Sequence, residues 1–261
     1  MNNLVNIYNY RELLKTNIKK DIRGKYKGSV LGILWSFLNP LLQVVVYWLV
    51  FPYLLGRAGT EDNYLCYLVT GIIPWTFFTN VLNQATVCIK LNAGIVKKVY
   101  FPREVLPISQ SISGLVNFLI SCIIIVIFCV GTGAGISYHI LYLPLIAFVQ
   151  WVMILGISFI LSSINVYIQD IEYIVMFMLN MGFYATPILY SMSVLPEGSW
   201  ITAFISINPM TIIVRCYRDI FLYHVTPDFM SLGFVCIFAF VVLIFGYFVF
   251  KKLEKGFAEK F

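Results

Sequence analysis

Ile123-Ile-Ile-Val-Ile-Phe-Cys129-Val-Gly131-Thr-Gly-Ala-Gly135-Ile-Ser-Tyr138-His139-Ile-Leu-Tyr-Leu-Pro144 lies inside a run, 105–169, that contains no Asp, Glu, Lys or Arg. About 20 apolar residues suffice for one helical crossing of a bilayer, so this run is too long for one helix. The glycines, Tyr138-His139 and Pro144 divide it into two crossings joined by a tight turn. Working outward, further charge-free stretches cover 28–56, 63–89, 173–196 and 229–250. The sequence therefore predicts an all-α polytopic membrane protein with six transmembrane helices.

Composition agrees. Of 261 residues, 60% are hydrophobic and 11% charged, whereas soluble domains carry about 25% charged residues. A soluble domain and a disordered chain are both excluded. So is an outer-membrane barrel, whose strands alternate over about ten residues instead of running continuously apolar. The stretch 198–214 is apolar but short, and Asn208-Pro209 interrupts it. A pair of short re-entrant helices fits it better than a crossing, because backbone freed inside a membrane must be satisfied by protein or water.

Charge placement orients the spans. Arg11, Lys15, Lys19, Lys20, Arg23, Lys25 and Lys27 precede the first span. Lys90, Lys97, Lys98 and Arg103 follow the second, and Lys251, Lys252, Lys255 and Lys260 follow the last. Only Arg57, Arg215 and Arg218 fall on the other side, which places both termini in the cytoplasm. The net charge of +6 thus reads as topology and headgroup attraction, with no nucleic-acid partner. The first 27 residues hold no apolar h-region, so no cleavable signal peptide is expected. Within 1–27, Ile7, Tyr10, Leu14, Ile18 and Ile22 recur at helical spacing among basic residues, as in an amphipathic helix lying in the inner interface. The six cysteines form no C-x-x-C pair and read as small core residues, with neither disulfide nor metal implied.

No energy source is visible. There is no G-x-x-x-x-G-K-[ST] phosphate loop and no H-E-x-x-H zinc motif. No ionisable acid or base occupies a span interior, where such residues mark ion or proton pathways. Asp170 and Glu172, at the mouth of the fifth span, are the candidates for a proton relay, or else plain interfacial charges. The residues leave open a permease worked by a separate motor, an ion-coupled carrier or channel, and a membrane enzyme. The loop 90–104 has the makings of a rigid lever: Asn92 and Gly94 break the second span, 95–100 makes a turn or two of helix, and Pro102 stops it.

Ordered motifs narrow the choice. Arg23-Gly-Lys-Tyr-Lys-Gly-Ser29-Val-Leu-Gly-Ile-Leu-Trp35-Ser-Phe-Leu-Asn39-Pro40 resembles the approach to span one in type-2 ABC exporter permeases for polysaccharides. Val96-Lys97-Lys98-Val99-Tyr100-Phe101-Pro102-Arg103-Glu104 is similar to that family's cytoplasmic turn. Gly71-Ile-Ile-Pro74-Trp75-Thr-Phe-Phe78, Asn165-Val-Tyr167-Ile-Gln-Asp170-Ile-Glu-Tyr173, Tyr184-Ala-Thr186-Pro187-Ile-Leu-Tyr190 and Asn208-Pro209-Met210 follow in family order. One departure is Gln169, which stands where the family commonly has Arg before Asp170.

The resemblance implies a single six-span domain, 28–261, in a bacterial cytoplasmic (inner) membrane. It implies a homodimer with two copies of a cytoplasmic ABC ATPase. ATP and Mg would sit on that partner, with no cofactor in this chain. The substrate class is an undecaprenyl-linked polysaccharide such as an O antigen, capsular chain or teichoic acid. By resemblance, Ile95, Val96, Lys97, Lys98, Val99, Tyr100, Phe101 and Arg103 form the turn coupled to the ATPase. Asp170 and Glu172 form a second cytoplasmic contact, and 193–224 holds external re-entrant gate helices. Trp35, Tyr47, Trp48, Trp75, Phe78, Tyr184 and Tyr190 are candidates to stack on sugar faces, or else belong to interfacial belts and packing.

Overall fold

The computed structural model describes residues 10–24, 35–55, 63–98, 101–196 and 198–260. Part of the expected amphipathic segment, the start of the first span, Arg57, Val99 and Tyr100 lie outside the described residues. Among the described residues every regular element is helical. In chain order these are α1 (Arg11–Gly24), α2 (Trp35–Leu55), α3 (Tyr64–Leu91), α4 (Ala93–Val96), α5 (Val105–Gly131), α6 (Leu143–Tyr167) and α7 (Ile171–Tyr184). They continue with α8 (Trp200–Ile207), α9 (Pro209–Arg218), α10 (Phe229–Glu254) and α11 (Phe257–Lys260).

Four of the expected crossings are present as long apolar helices: α3, α5, α6 with its 3-10 lead-in (together Tyr138–Tyr167), and α10. The break between α5 and α6 falls at the glycine-rich turn, where Gly133 and Gly135 take φ of 79° and 80°; only glycine adopts such angles without steric cost. α3 and α6 are the inner helices. α5 and α10 turn Ile123, Ile127, Ile237, Ile244 and Phe248 outward, as lipid-facing helices do. α6 and α10 cross at close backbone contact. A Cβ added to Gly156 would lie 2.6 Å from the Leu243 backbone nitrogen, and one on Gly246 would strike the Gly156 carbonyl oxygen. Small residues at such crossings let membrane helices approach.

The fifth crossing differs from the sequence expectation, and the first is described only from Trp35 onward. α2 has its apolar part in Leu38–Pro52. α7 spans 14 residues, which rise about 21 Å at 1.5 Å per residue, short of the ~30 Å hydrocarbon layer. The reason is Thr186-Pro187: the residue before a proline is driven out of the helical region. The chain then runs from 185 to 191 without helix, and its carbonyls are satisfied by side chains. Arg218 donates to Pro187 O (2.7 Å) and Ile188 O (3.0 Å), and its guanidinium lies 3.4 Å from the Tyr67 ring centre. Tyr64 donates to Leu189 O (2.8 Å), Tyr67 to Tyr190 O (2.7 Å) and Tyr190 to Tyr184 O (3.0 Å). The charge count treats Arg218 as a loop residue, but the structure buries it at 5% exposure. α8 and α9 (the latter extended by a π-turn to Tyr223) meet at Asn208-Pro209 with a bend of 73°. The Asn208 side chain caps α9 through Met210 N (3.0 Å) and donates to Thr186 Oγ1 (3.1 Å).

One end of the bundle gathers the basic segments. Lys20 of α1 reaches Asn92 at the end of α3 (3.4 Å), Lys90 pairs with Glu172 of α7 (3.5 Å), and Tyr167 of α6 donates to Leu253 O of α10 (2.8 Å).

Arg218→Leu removes the donors of several carbonyls at once. A buried acceptor left without a donor costs about 1–3 kcal/mol, so the variant should lose at least that much stability, read as a lower thermal unfolding midpoint in detergent. An unchanged midpoint would show that these carbonyls find other donors.

Candidate functional site

Two sites stand out, one at the basic end and one on the flank of the bundle. At the basic end α3 stops at Asn92, whose side-chain amide donates to Cys88 O (2.7 Å). The single turn α4 follows, and α5 resumes at Val105 after Pro102. This arrangement divides the expected coupling residues into two faces. Val96 and Phe101 are buried with Ile89, Leu106, Phe159, Val166, Phe250 and Phe257. Ile95, Lys97 and Lys98 are exposed.

Arg103 faces inward. Its guanidinium donates to the Glu254 carbonyl and sits 5.7 Å from the Phe257 ring centre. Glu104, only 1% exposed, accepts from Lys251 at 2.8 Å, and Lys251 also reaches Glu254 at 2.8 Å. The turn is therefore clamped to the end of α10 by a charged cluster over an aromatic floor. α1 packs against α5. Tyr10 and Leu13 join the same apolar cluster, and Asp21 is half-buried. Burial pushes the Asp21 carboxyl above its ordinary range, while Ser109, Lys20 and Gln110 pull part of the way back. Of the second contact pair, Glu172 is held by Lys90 and Asp170 is exposed at the start of α7.

On the flank, α2, α3, α5 and α7 enclose a cleft of about 910 Å³. Four of the seven sequence-predicted aromatics line it: Trp35, Tyr47, Trp75 and Tyr184. The other three do not. Phe78 packs on Trp75 at 5.4 Å between ring centres, Trp48 lies exposed elsewhere on α2, and Tyr190 turns its hydroxyl to the Tyr184 carbonyl. Sequence reasoning missed the polar half of the lining. Seven carboxamides face the cleft: Asn39, Gln43, Asn80, Asn83, Gln84, Asn117 and Asn180. Among the described residues, no Asp, Glu, Lys or Arg lines it. The signal was available, because Asn80, Asn83 and Gln84, like Asn39 and Gln43, recur at spacings that share one helix face. Chemically the cleft offers hydrogen-bond donors, acceptors and ring faces, from carboxamides, aromatic rings and the hydroxyls of Thr76, Thr79 and Ser121. Among the described residues no cluster of His, Cys, Asp and Glu can hold a metal ion.

Comparison with known proteins fits this geometry. The profile of one protein family, described as ABC-2 type transporter, matches residues 12–222. The O-antigen export system permease protein RfbA of Myxococcus xanthus is 30% identical over 253 residues, covering 97% of this chain and 96% of that protein. The protein of the same name from Klebsiella pneumoniae is 34% identical over 250 residues, covering 95% and 94%. The polysialic acid transport protein KpsM of Escherichia coli is 22% identical over 242 residues, covering 91% and 92%.

The clamp yields a stability prediction. Lys251→Met strands the buried Glu104 carboxylate. The loss should exceed the ~1 kcal/mol of a surface pair and stay below the ~3–5 kcal/mol of a fully buried one, because Lys251 is partly exposed. Adding Glu104→Gln to Lys251→Met should recover much of the unfolding midpoint in detergent. No loss in the single variant would mean that the pair does not hold the turn.

Proposed function

Because the chain belongs to the ABC-2 type transporter family, we propose that it is the membrane-spanning permease subunit of an ATP-driven polysaccharide exporter in a bacterial inner membrane. The observation that carries this reading is the cleft: ring faces and carboxamides, without Asp, Glu, Lys or Arg among the described lining residues. A glycan presents hydroxyls and apolar C–H faces, and that lining answers both. The names of the relatives, which export O antigen or transport polysialic acid, support the same substrate class.

The basic end faces the cytoplasm, in keeping with the positive-inside rule, and both termini lie there. A separate ATPase, present in two copies with its own ATP and Mg, grips the exposed face of the turn at Ile95, Lys97 and Lys98. Asp170 and Glu172 form the second contact. The stroke passes inward through Val96, Phe101 and Arg103. Rigid-body shifts of packed helices are an established means of such transmission. The cleft is a half-channel, and a second copy of this chain closes it into a conduit. The sugar chain arrives on an undecaprenyl carrier. The bent pair α8–α9 forms the outer gate. Glu172 is already paired with Lys90 at the end of the bundle, a position that suits a docking surface better than a proton path.

Reversing Lys97 and Lys98 to Glu should leave the protein inserted and folded, lower glycan export at least ten-fold and abolish stimulation of the partner's ATP hydrolysis. Export at the wild-type rate would remove the turn from the mechanism. Asn80→Asp with Asn83→Asp places two carboxylates in the cleft. It should slow export of a neutral or anionic glycan several-fold without altering ATPase docking, as read by co-purification. Full export by this variant would mean that the glycan does not pass through the cleft.

A further inference from the structure

Cys66 and Cys129 lie with their sulfurs 2.9 Å apart. Both are buried, at 0% and 1% exposure. That spacing is shorter than the about 3.5–4.0 Å at which unbonded carbon atoms pack, although sulfur is the larger atom. Both are free thiols in this structure, with their sulfurs about 0.9 Å farther apart than the ~2.05 Å of a disulfide. Cys66 sits in the first turn of α3, and Cys129 sits in the last turn of α5.

Their place along the bundle gives the pair its chemistry. α3 ends at the basic turn, with Lys90 in its last turn. At 1.5 Å per residue, Cys66 is about 36 Å from Lys90 along the helix, a full membrane thickness away. α5 begins beside the same turn and carries Cys129 to the same far end. With the orientation given under Proposed function, on which this inference rests, both thiols assemble on the outer side. Disulfides form and persist in that kind of compartment, whereas the cytosol keeps thiols reduced.

We propose that Cys66 and Cys129 form a disulfide that staples the outer ends of α3 and α5. The oxidant is a protein disulfide of the outer compartment. The Cys66 thiolate attacks one sulfur of that disulfide, forming a mixed disulfide and releasing one thiolate of the oxidant. The Cys129 thiolate then attacks the Cys66 sulfur and releases the second. Two thiols of this chain lose two protons and two electrons, and the oxidant disulfide is reduced to a dithiol. Exchange takes place before the helices close over the pair. Burial afterwards shields the bond from reductant. α3 and α5 both line the cleft, through Asn80 and Asn117 among others. The staple therefore fixes the end of that wall opposite the turn.

The test counts thiols on the full chain. Membranes are quenched in acid, and the protein is denatured and labelled with polyethylene glycol maleimide, with and without prior reduction. Four of the six cysteines should react without reduction and all six with it. A peptide joining Cys66 to Cys129 should appear by mass spectrometry. The double variant Cys66→Ser, Cys129→Ser should take up four labels under both conditions. Six labels without reduction, or a different linked pair, would overturn the staple. A reporter fused after Phe261 is read in parallel: a cytoplasmic signal with six free thiols sinks the staple alone, and an external signal with six free thiols sinks the orientation and the staple together. Four labels with an external signal would keep the staple and reject the orientation.

Discussion

The structure depends on satisfying carbonyl groups where the chain unwinds between α7 and α8. Hydrocarbon offers no hydrogen-bond donors, so non-helical backbone at membrane depth survives only where protein supplies them. Here the donors are the Arg218 guanidinium, the hydroxyls of Tyr64 and Tyr67, and the Asn208 amide, which reaches Ala185 O. A charged guanidinium is costly to bury. Its cost is offset because several of its donors meet carbonyls and its face meets the Tyr67 ring. The arrangement also fixes topology at close range. α3 supplies the tyrosines and α9 supplies the arginine, so the unwound segment is tied to both elements.

That constraint explains how a bundle can be stiff and still carry motion. The α6–α10 crossing is locked by glycine contacts, and α3 is buried along most of its length. The periphery consists of the turn at α4, the short α7 and the bent α8–α9 pair. The turn is not loose, since Glu104, Lys251, Glu254 and Arg103 tie it to α10. A push on Lys97 or Lys98 therefore reaches α10 and α6 through packed side chains, not through a flexible loop. Charge at that clamp is better suited to the task than apolar packing alone, because Arg103 and Lys251 fix direction as well as contact.

The long helices were legible because charge-free apolar runs of membrane length admit few other structures. The breaks at Asn92, at Gly131-Thr-Gly-Ala-Gly135 and at Asn208-Pro209 were legible from turn chemistry. α7 was not, because 185–196 is as apolar as a helix would be and hydropathy cannot see unwinding. Only Thr186-Pro187 marked it. Arg218 was misread because its partners, near 67 and 187, are remote in sequence. At the turn, residue types announced a lever but not its faces. Arg103 looks like one more exposed cation until α10, which ends about 150 residues later, is folded against it. Seven aromatics were singled out and four line the cleft. Aromatic rings serve packing, interfaces and binding alike, so their identity carries little information. The carboxamides carried more, since an amide inside an apolar run needs a reason to be there.

That reason bears on how a polymer is moved. A site that binds one sugar tightly would hold the chain at each step. Rings and neutral amides instead offer many contacts of similar, modest strength, about 0.5–1.5 kcal/mol for a hydrogen bond after desolvation. As the chain advances by one residue, each broken contact is replaced by an equivalent one, and the free energy along the path stays nearly level. A cation in the wall would disturb that level path for an anionic polymer, and an anion would repel it. Under the proposed function, a neutral lining leaves direction to the separate ATPase.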